Sequence, residues 1–252
     1  MGIVAFLIGI RGKIRRSFSH RGVIGTLLYI PEFSIYLIKN LNPQRRKDNA
    51  DELRIQKKFD LDFNVDTAGI VQLADMEVAG PNHDHGHYYL GTNPKTFENA
   101  MRQLPIEHEK FTFIDYGSGK GKALLLASLW DFLAVVGVEF SKLLHESALQ
   151  NCKKFRHAGQ KCRDITSIHM DATQYDLPMT PLVIYFYNPF SETVMSAVLK
   201  KIQTSLLAQP REIWIFYSHL YAHAPLNEAS FLKLVIAEKD YRIYRNVAAE
   251  FS

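Results

Sequence analysis

The stretch FIDYGSGKGKALLLAS, residues 113–128, places an acid and three glycines at alternate positions between an apolar run and an apolar helical pattern. The acid is Asp115, and the glycines are Gly117, Gly119 and Gly121. Because glycine has no Cβ, it lets a backbone approach a ligand closely and adopt positive φ angles. Strand-to-helix turns of this composition hold phosphates, dinucleotides or S-adenosylmethionine, and the spacing of the residues must decide between them.

Two familiar motifs fail on register alone. A phosphate loop reads G-x-x-x-x-G-K-[ST], but its first glycine would fall on Ile114 in one register and on Tyr116 in the other. A nucleophile elbow, G-x-S-x-G, around Ser118 would also need a glycine where Tyr116 stands. The sequence therefore argues against P-loop nucleotide hydrolysis and against a serine hydrolase.

The choice between a dinucleotide and S-adenosylmethionine depends on charge. Gly117 and Gly119 fit the dinucleotide fingerprint G-x-G-x-x-G/A, but Lys122 stands at its last position. The pattern of an acid followed by G-x-G-x-G is matched in full. Asp115 at the strand end suits the ammonium and sulfonium side of S-adenosylmethionine and would repel a diphosphate. The sequence favours the methyl donor, with an NAD(P)-binding oxidoreductase as the alternative.

Acids also end the next two predicted strands. Glu139 follows the glycine turn at about the 20-residue spacing at which an acid binds ribose hydroxyls, so it fits either cofactor. Asp171 could accept a hydrogen bond from the adenine amino group, with the Ala172 N–H beside it. An Asp that only begins a turn is the alternative. Ser118 in the turn and Phe140 after Glu139 complete the cofactor contacts predicted from these strand ends.

The fourth predicted strand stops at Asn188, Pro189 and Phe190. Pro189 forces a turn and lacks an N–H donor. The Asn188 side-chain oxygen and a backbone carbonyl could accept hydrogen bonds from a substrate amine, while Phe190 packs on the substrate and stabilises a cation. These three residues are the predicted catalytic group, and a simple strand-to-helix turn is the alternative. Methyl transfer would depend on positioning and water exclusion rather than on a covalent intermediate.

Strands and helices alternate from residue 111 onward, which predicts a parallel sheet with helices on its faces. The last two strands, joined by KD, predict a hairpin. We therefore expect an α/β fold: a Rossmann-like, doubly wound, mostly parallel seven-stranded sheet with a C-terminal antiparallel hairpin. The predicted strands are residues 111–116, 134–140, 165–170, 181–187, 211–218, 231–238 and 241–248, and the predicted helices are 120–132, 141–158 and 191–207.

Composition and charge predict one large domain that follows an N-terminal extension. The chain has 252 residues, of which 47% are hydrophobic and 22% charged, as in ordinary globular proteins. Residues 1–60 are predicted to be a basic helical extension, and residues 61–252 the cofactor-binding domain. Before residue 48 the only acid is Glu32, against nine basic residues. A solvated basic face is favoured there over contact with nucleic acid. Peripheral membrane contact through residues 1–47 stays open.

The apolar segments near the N-terminus do not predict a membrane span. MGIVAFLIGI is ten residues long, and VIGTLLYIPEFSIYLIKNL is interrupted by Pro31 and Glu32, whereas a span needs about 20 apolar residues. MGIVAFLIGI also lacks the leading basic residues of a signal peptide. The two cysteines, Cys152 and Cys162, are interpreted as reduced thiols, which predicts a cytoplasmic protein.

A histidine-rich loop precedes the glycine turn. His83, His85 and His87 would share one face of a strand and could hold a metal, but the surrounding glycines and proline favour a loop without one. Tyr89 and Thr92 are instead predicted to form a lip over the methionine part of the cofactor, and a loop without a ligand role is the alternative. His219, after the fifth strand, could act as a base, although a loop histidine is favoured.

Taken together, FIDYGSGKGKALLLAS, VVGVEFS, MDA and YFYNPF resemble a class I S-adenosylmethionine-dependent methyltransferase over residues 80–247. The motifs are most similar to bacterial methyltransferase-domain proteins with DLGSGKGR, GVEFS and NPF. The turn also resembles the DLGSG turn of non-SET histone lysine methyltransferases and related protein-lysine methyltransferases. The resemblance implies cofactor roles for the residues at the first three strand ends and an acceptor-side role for those of NPF.

Three departures from the family pattern bear on the prediction. Tyr116 replaces a usual leucine and Lys122 a usual arginine, and neither threatens the chemistry. The single proline of NPF differs from the Asn-Pro-Pro-aromatic motif of amino methyltransferases that act on adenine or glutamine, so the acceptor atom stays open. We expect methyl transfer, with a protein lysine nitrogen as one acceptor and a small molecule as another. A binding module that has lost catalysis is the third class of function.

Overall fold

The computed structural model of the chain describes residues 43–71, 76, 86, 88–218 and 224–247. The chain divides into two units, residues 1–54 and 55–252, and the sheets and the site described below belong to the second. The first described helix is α1, Pro43–Phe63. The remainder of the predicted basic extension lies outside the described residues, so the boundary at residue 60 stays a prediction. No helix among the described residues is both long and apolar enough to cross a membrane.

Two sheets are present in the described part of the chain. The small one pairs β1, Ile70–Val71, with β2, Tyr89–Leu90. The large one has seven strands in the spatial order β5-β4-β3-β6-β7-β9-β8. The first five are parallel, and β9 runs antiparallel to both β7 and β8. The strands are β3 Thr112–Tyr116, β4 Ala134–Glu139, β5 Ile165–His169, β6 Leu182–Tyr187, β7 Ile213–Ser218, β8 Leu232–Ala237 and β9 Tyr241–Asn246.

This sheet confirms the predicted fold class, including the number of strands and the closing hairpin. The central strands are buried on both faces, because their apolar runs pack helices on either side. Neighbouring residues of β3 show the alternation: Phe113 belongs to one core cluster and Ile114 to the other. The helices that follow α1 are α2 Pro94–Gln103, α3 Lys122–Ala127, α4 Lys142–Lys154, α5 Glu192–Ala208 and α6 Ala224–Glu228.

The helix ends follow local rules. Asn93 caps α2 by accepting hydrogen bonds from the N–H groups of Lys95 and Thr96 at 3.0 and 3.2 Å. Ser141 caps α4, as predicted, through the Leu144 N–H at 3.4 Å. The helix predicted over residues 120–132 is shorter, because it begins only after Gly121 and ends in tight turns. Its last turns close by i→i−3 bonds from the N–H groups of Leu129 and Trp130.

The packing around Gly137 on β4 generates a stability prediction. A Cβ at this position would lie 2.7 Å from Leu124 Cδ1, 2.7 Å from Ser118 Oγ and 2.8 Å from Ser118 Cβ. Gly137→Ala should therefore lower the free energy of unfolding by about 1–3 kcal/mol through overpacking. Urea unfolding measures the change.

Gly159→Ala is the matched control for that measurement. Its added Cβ would lie 3.1 Å from the half-buried His157 ring, on the protein surface and away from β4. The change there should stay within about 0.5 kcal/mol, as for ordinary surface substitutions. Equal effects of the two alanines would contradict the proposed close fit of β4 to the glycine turn.

Candidate active site

The candidate site lies at the carboxyl ends of β3, β4, β5 and β6. The chain leaves β3 in one direction along the sheet and returns to β6 on the other side, so these strands flank a topological switch point. Two adjoining compartments open there, of about 510 and 370 Å³ including space open to solvent. Gly117, Phe140 and Pro189 line both compartments.

The two compartments differ in chemistry. The first combines two acids and a lysine with apolar and aromatic side chains, and the second is mainly apolar with one acid. Besides the three shared residues, the first is lined by Met76, Tyr88, Tyr89, Leu90, Thr92, Asp115, Ser118, Gly119, Lys122, Ala123, Glu139, Leu144, Tyr187 and Asn188. The second is lined by Gly86, Val138, Met170, Asp171, Ala172, Phe190 and Val194. Of the predicted site residues, all but Gly121 line one compartment or the other.

The glycine turn needs glycine at each of its three positions. Gly117, Gly119 and Gly121 have φ angles of 77°, 53° and 82°, in the region that other residues rarely adopt. A Cβ on Gly117 would also lie 2.5 Å from Pro189 Cβ, and one on Gly119 would overlap the Tyr89 ring. A Cβ on Gly121 would face Ala148 of α4 at 3.1 Å. Gly121 therefore serves the packing of the turn against α4 rather than the lining of the cleft.

Glu139 links the end of β4 to the glycine turn. Its side chain is buried, and its two carboxylate oxygens accept hydrogen bonds from the N–H groups of Gly119 and Ser141 at 2.7 and 2.8 Å. Burial raises the pKa of Glu139 from 4.5 to about 7, although the N–H groups of Ser141, Gly119 and Phe140 oppose the shift. Because a carboxylate can accept about four hydrogen bonds, these contacts leave capacity for a ligand hydroxyl.

Asp115 is the second buried acid of the first compartment. It is 3% exposed at the end of β3, where the turn begins. Burial, and then the charge of Glu139, raise the pKa of Asp115 well above its ordinary value. Two carboxyl groups in one desolvated compartment favour a positively charged ligand, because a cation stabilises their ionised forms.

The predicted lip is held against the glycine turn by long-range contacts. The Tyr89 ring packs on Gly119, and its hydroxyl donates to the Thr67 carbonyl at 2.6 Å. Lys120 in the turn forms an ion pair with Asp66 at 3.0 Å. The Asn151 amide donates to the carbonyls of both Asp66 and Lys120 at 2.9 Å, and its oxygen accepts from the Asp66 N–H at 2.8 Å.

We call the segment 60–68, which makes these contacts, the strap. Sequence reasoning missed it, because Asn151 and Asp66 stand 85 positions apart and carry no motif. Asp60 fixes the strap from within by accepting from the N–H groups of Thr67 and Ala68 at 2.8 and 2.6 Å. In the sequence these contacts correspond only to single polar residues, and such residues are too common to predict a contact.

Thr92 and Lys122 also line the first compartment. The Thr92 hydroxyl lies 3.2 Å from the Tyr185 hydroxyl on β6, so it is tied to the sheet as well as to the lip. Lys122 is 1% exposed, with Nζ 4.8 Å from the centre of the Phe59 ring. The sequence analysis used Lys122 as a mismatch to the dinucleotide fingerprint and as a tolerated replacement of arginine, and predicted no place for it in the cleft.

The second compartment brings Asp171, Ala172, Phe140 and Phe190 together. Asp171 Oδ1 accepts from the Thr173 N–H at 2.8 Å and from its hydroxyl at 2.7 Å. Asp171 therefore both forms a turn and lines the cleft. Phe190 lies in this compartment and packs edge-on against Phe186. Its predicted contact with a methyl acceptor stays a prediction.

Asn188 stands at the end of β6 in a conformation that is uncommon outside glycine. Its φ is 45°, and the residue is buried in the first compartment. Its side-chain oxygen accepts a hydrogen bond from the Tyr217 hydroxyl at 3.2 Å. A carbonyl oxygen has two acceptor positions. The Tyr217 hydroxyl occupies one of them and thereby orients the Asn188 side chain.

The histidines considered for other roles are not placed. His83, His85, His87 and His219 lie outside the described residues. Within the described ranges, no group of three or more His, Cys, Asp or Glu side chains is arranged to hold a metal ion. Cys152 and Cys162 are both free thiols.

Comparisons with known proteins give only distant likenesses. No protein-family model matches the chain, and no curated protein matches it. Among solved structures, magnesium protoporphyrin IX methyltransferase from Synechocystis PCC 6803 with bound S-adenosylmethionine is 16% identical. It covers 62% of this chain and 79% of its own, with a TM-score of 0.40.

Two further solved structures are similar to the same degree. An RNA methyltransferase from Salinibacter ruber with S-adenosylhomocysteine is 16% identical over 64% of this chain and 95% of its own, with a TM-score of 0.42. A SAM-dependent methyltransferase from Aquifex aeolicus is 13% identical over 61% and 89%, with a TM-score of 0.45. Likenesses at these values carry no argument about activity. The fold class rests on the strand order of the chain itself.

The raised pKa of Glu139 generates a prediction about stability and pH. Folded Glu139 holds its proton up to about pH 7 and unfolded Glu139 only to about 4.5, so its contribution to stability is fully present below pH 4.5. That contribution is lost as the pH rises through 7. Relative to Glu139→Gln, the wild type should lose about 3 kcal/mol of unfolding free energy between pH 4.5 and about pH 8. Urea unfolding at each pH measures the difference.

The control for the loss of one acid is Glu228→Gln, at the exposed end of α6. Its unfolding free energy should follow the wild type across the same pH range. A wild-type curve parallel to that of Glu139→Gln would show that Glu139 titrates normally in the folded protein.

Proposed function

We propose that this chain is an S-adenosylmethionine-dependent methyltransferase that transfers a methyl group to a nitrogen of a protein side chain, with lysine as the proposed acceptor. The cofactor supplies an electrophilic methyl group on a sulfonium centre. The observation that carries the proposal is the pairing of an acidic compartment with an apolar one across the glycine turn. The acidic side contains Asp115 and Glu139, and Asp171 is the one acid among the residues that line the apolar side.

The two compartments fit the two ends of this cofactor. The first supplies buried carboxyl groups for an ammonium and for ribose hydroxyls. The second supplies Phe140 and Val194 for an adenine ring and Asp171 for its amino group. Gly117 lines both, so a ligand that spans them would pass directly over its backbone. A diphosphate would instead face Asp115 and Glu139 in a desolvated site, which Coulomb repulsion disfavours.

Asn188 is the proposed residue on the acceptor side. A buried amide oxygen, oriented by Tyr217, can accept a hydrogen bond from an amine and aim the nitrogen lone pair at the methyl group. Tyr187 lies beside it in the same compartment and can cover a cation. The lysine acceptor is supported by the likeness of the DYGSG turn to that of non-SET protein-lysine methyltransferases. Catalysis by these residues consists of orientation and exclusion of water.

Two measurements test this proposal. Titration calorimetry should show binding of S-adenosylmethionine and no binding of NADH; the reverse result would favour an oxidoreductase. Incubation of a cell lysate with methyl-labelled cofactor and the pure protein should then label a protein band, and mass spectrometry should place the methyl group on lysine. Binding of the cofactor without transfer to any acceptor would identify a module that has lost catalysis.

Asn188→Ala should separate binding from transfer. Because Asn188 acts on the acceptor rather than on the cofactor, the variant should bind S-adenosylmethionine with unchanged affinity. Its transfer rate should fall about 100-fold, the usual cost of a misplaced reactant. Calorimetry and initial rates of methyl transfer give the two quantities.

Tyr217→Phe is the matched variant for this test. It keeps Asn188 but removes the hydroxyl that orients its oxygen. The loss of one neutral hydrogen bond should reduce transfer by about fivefold. An unchanged rate in Asn188→Ala would remove this residue from the mechanism.

A further inference from the structure

A group of cations lies at the end of the sheet opposite the cleft, between the last turn of α4 and the start of β5. Within the described part of the chain, none of these side chains forms an ion pair with a carboxylate. No acid occurs among residues 153–163. We call the five exposed cations the basic edge: Lys153, Lys154, Arg156, Lys161 and Arg163.

Hydrogen bonds to the backbone fix the basic edge on the folded domain. The N–H groups of Lys161 and Cys162 donate to the Ser128 carbonyl at 2.9 and 3.0 Å. The Arg156 guanidinium donates to the Lys153 carbonyl at 2.9 Å. These cations therefore share one surface at the amino ends of β4 and β5, where unpaired like charges attract an anionic partner.

Apolar side chains are exposed beside these cations. Val135 pairs with Ile165 in the parallel register of β4 and β5. Leu133 and Arg163 each stand two residues before that pair, so they are neighbours at the amino ends of the two strands. Leu133 is 53% exposed, and the half-buried Trp130 lies in the same turn before β4.

A second leucine extends this apolar surface along α4. Leu149 is 45% exposed and stands four residues before Lys153, which places both side chains on one face of the helix. The surface thus combines unpaired cations with exposed leucines.

The leucines distinguish between the polyanions that five cations could bind. Nucleic acid offers phosphates to cations and bases to aromatic rings, but leucine has no ring on which a base can stack. A bilayer with anionic headgroups attracts lysine and arginine and also takes up leucine and tryptophan side chains at its interface. We propose that the basic edge, together with Leu133 and Leu149, binds a membrane surface rich in anionic phospholipid.

Binding at this surface leaves the cleft open. The cleft lies at the carboxyl ends of the strands, and α4 runs from there to the basic edge over 13 residues, or about 20 Å. The protein would lie on the bilayer with its cleft facing away from it. The affinity for a cofactor should therefore not depend on the membrane, and this inference does not rest on the proposed function.

Sedimentation of the full chain with lipid vesicles tests the proposal. The vesicles consist of phosphatidylcholine alone or with about 30% phosphatidylglycerol. The wild type should bind the anionic vesicles only. The triple variant Lys154→Gln/Lys161→Gln/Arg163→Gln keeps Arg156, whose hydrogen bond secures the end of α4. Its binding should be about 100-fold weaker, because each cation near an anionic surface contributes separately.

A second triple variant controls for net charge. Lys200→Gln/Lys233→Gln/Lys239→Gln removes three exposed lysines from α5 and from the β8–β9 hairpin. Its binding should stay within about threefold of the wild type, since attraction is screened beyond a Debye length. The basic residues before residue 48 are present in both variants, so binding through them alone would be equal in the two.

Leu133→Ser tests the apolar contribution. Removing a half-exposed leucine side chain should weaken binding to the anionic vesicles about fivefold. Circular dichroism of every variant checks that the protein is folded.

The outcomes decide the proposal and leave the proposed function to its own tests. Equal binding of the wild type and the first triple variant would overturn it, as would a wild type that binds no vesicles. Binding of a single-stranded oligonucleotide instead of vesicles, lost in that variant but kept in Leu133→Ser, would identify nucleic acid as the partner. Selective loss of vesicle binding, with the affinity for S-adenosylmethionine unchanged, supports the membrane surface.

Discussion

The site depends on the contact between the Glu139 carboxylate and the backbone of the glycine turn. One oxygen accepts from Gly119 and the other from Ser141, so a single side chain joins the turn after β3 to the start of α4. Hydrogen bonds to an ionised acceptor are stronger than neutral ones, and burial strengthens them further. The same burial raises the pKa of Glu139. Burial, against the opposing effect of these N–H groups, therefore makes the charge of the carboxylate that shapes the cleft sensitive to pH and to any cation that enters.

The strap supports this arrangement from the outer side of the turn. Lys120 pairs with Asp66, and Asn151 connects both segments through three hydrogen bonds to their backbones. Tyr89 lies between the strap and Gly119. The turn is thus fixed on one side by β4 and on the other by a segment that precedes it by about 50 residues along the chain. Such fixing suits a site that works by holding reactants in place.

Much of this could be predicted from the sequence, and the reasons are local. Continuous apolar runs predict strands buried on both faces, and their alternation with helices predicts a parallel sheet. Since the carboxyl ends of parallel strands meet at one edge, acids after successive strands must come together. Asp115, Glu139, Asp171 and Asn188 were found in this way. Gly121 shows the limit of the method, because its neighbour Ala148 lies on another helix and spacing alone cannot separate ligand contact from helix packing.

The fold class and the sign of charge at the first strand end could be predicted from the sequence, because periodicity and residue type are local properties. The strand order that places the switch point, and the polar groups that are desolvated, follow from the tertiary structure. Lys122 is buried because Phe59 and Gly91 lie against it, and Asn188 is oriented because Tyr217 of β7 lies beside it. These partners are distant in sequence, and the low dielectric constant that makes their charges decisive exists only after the core has closed.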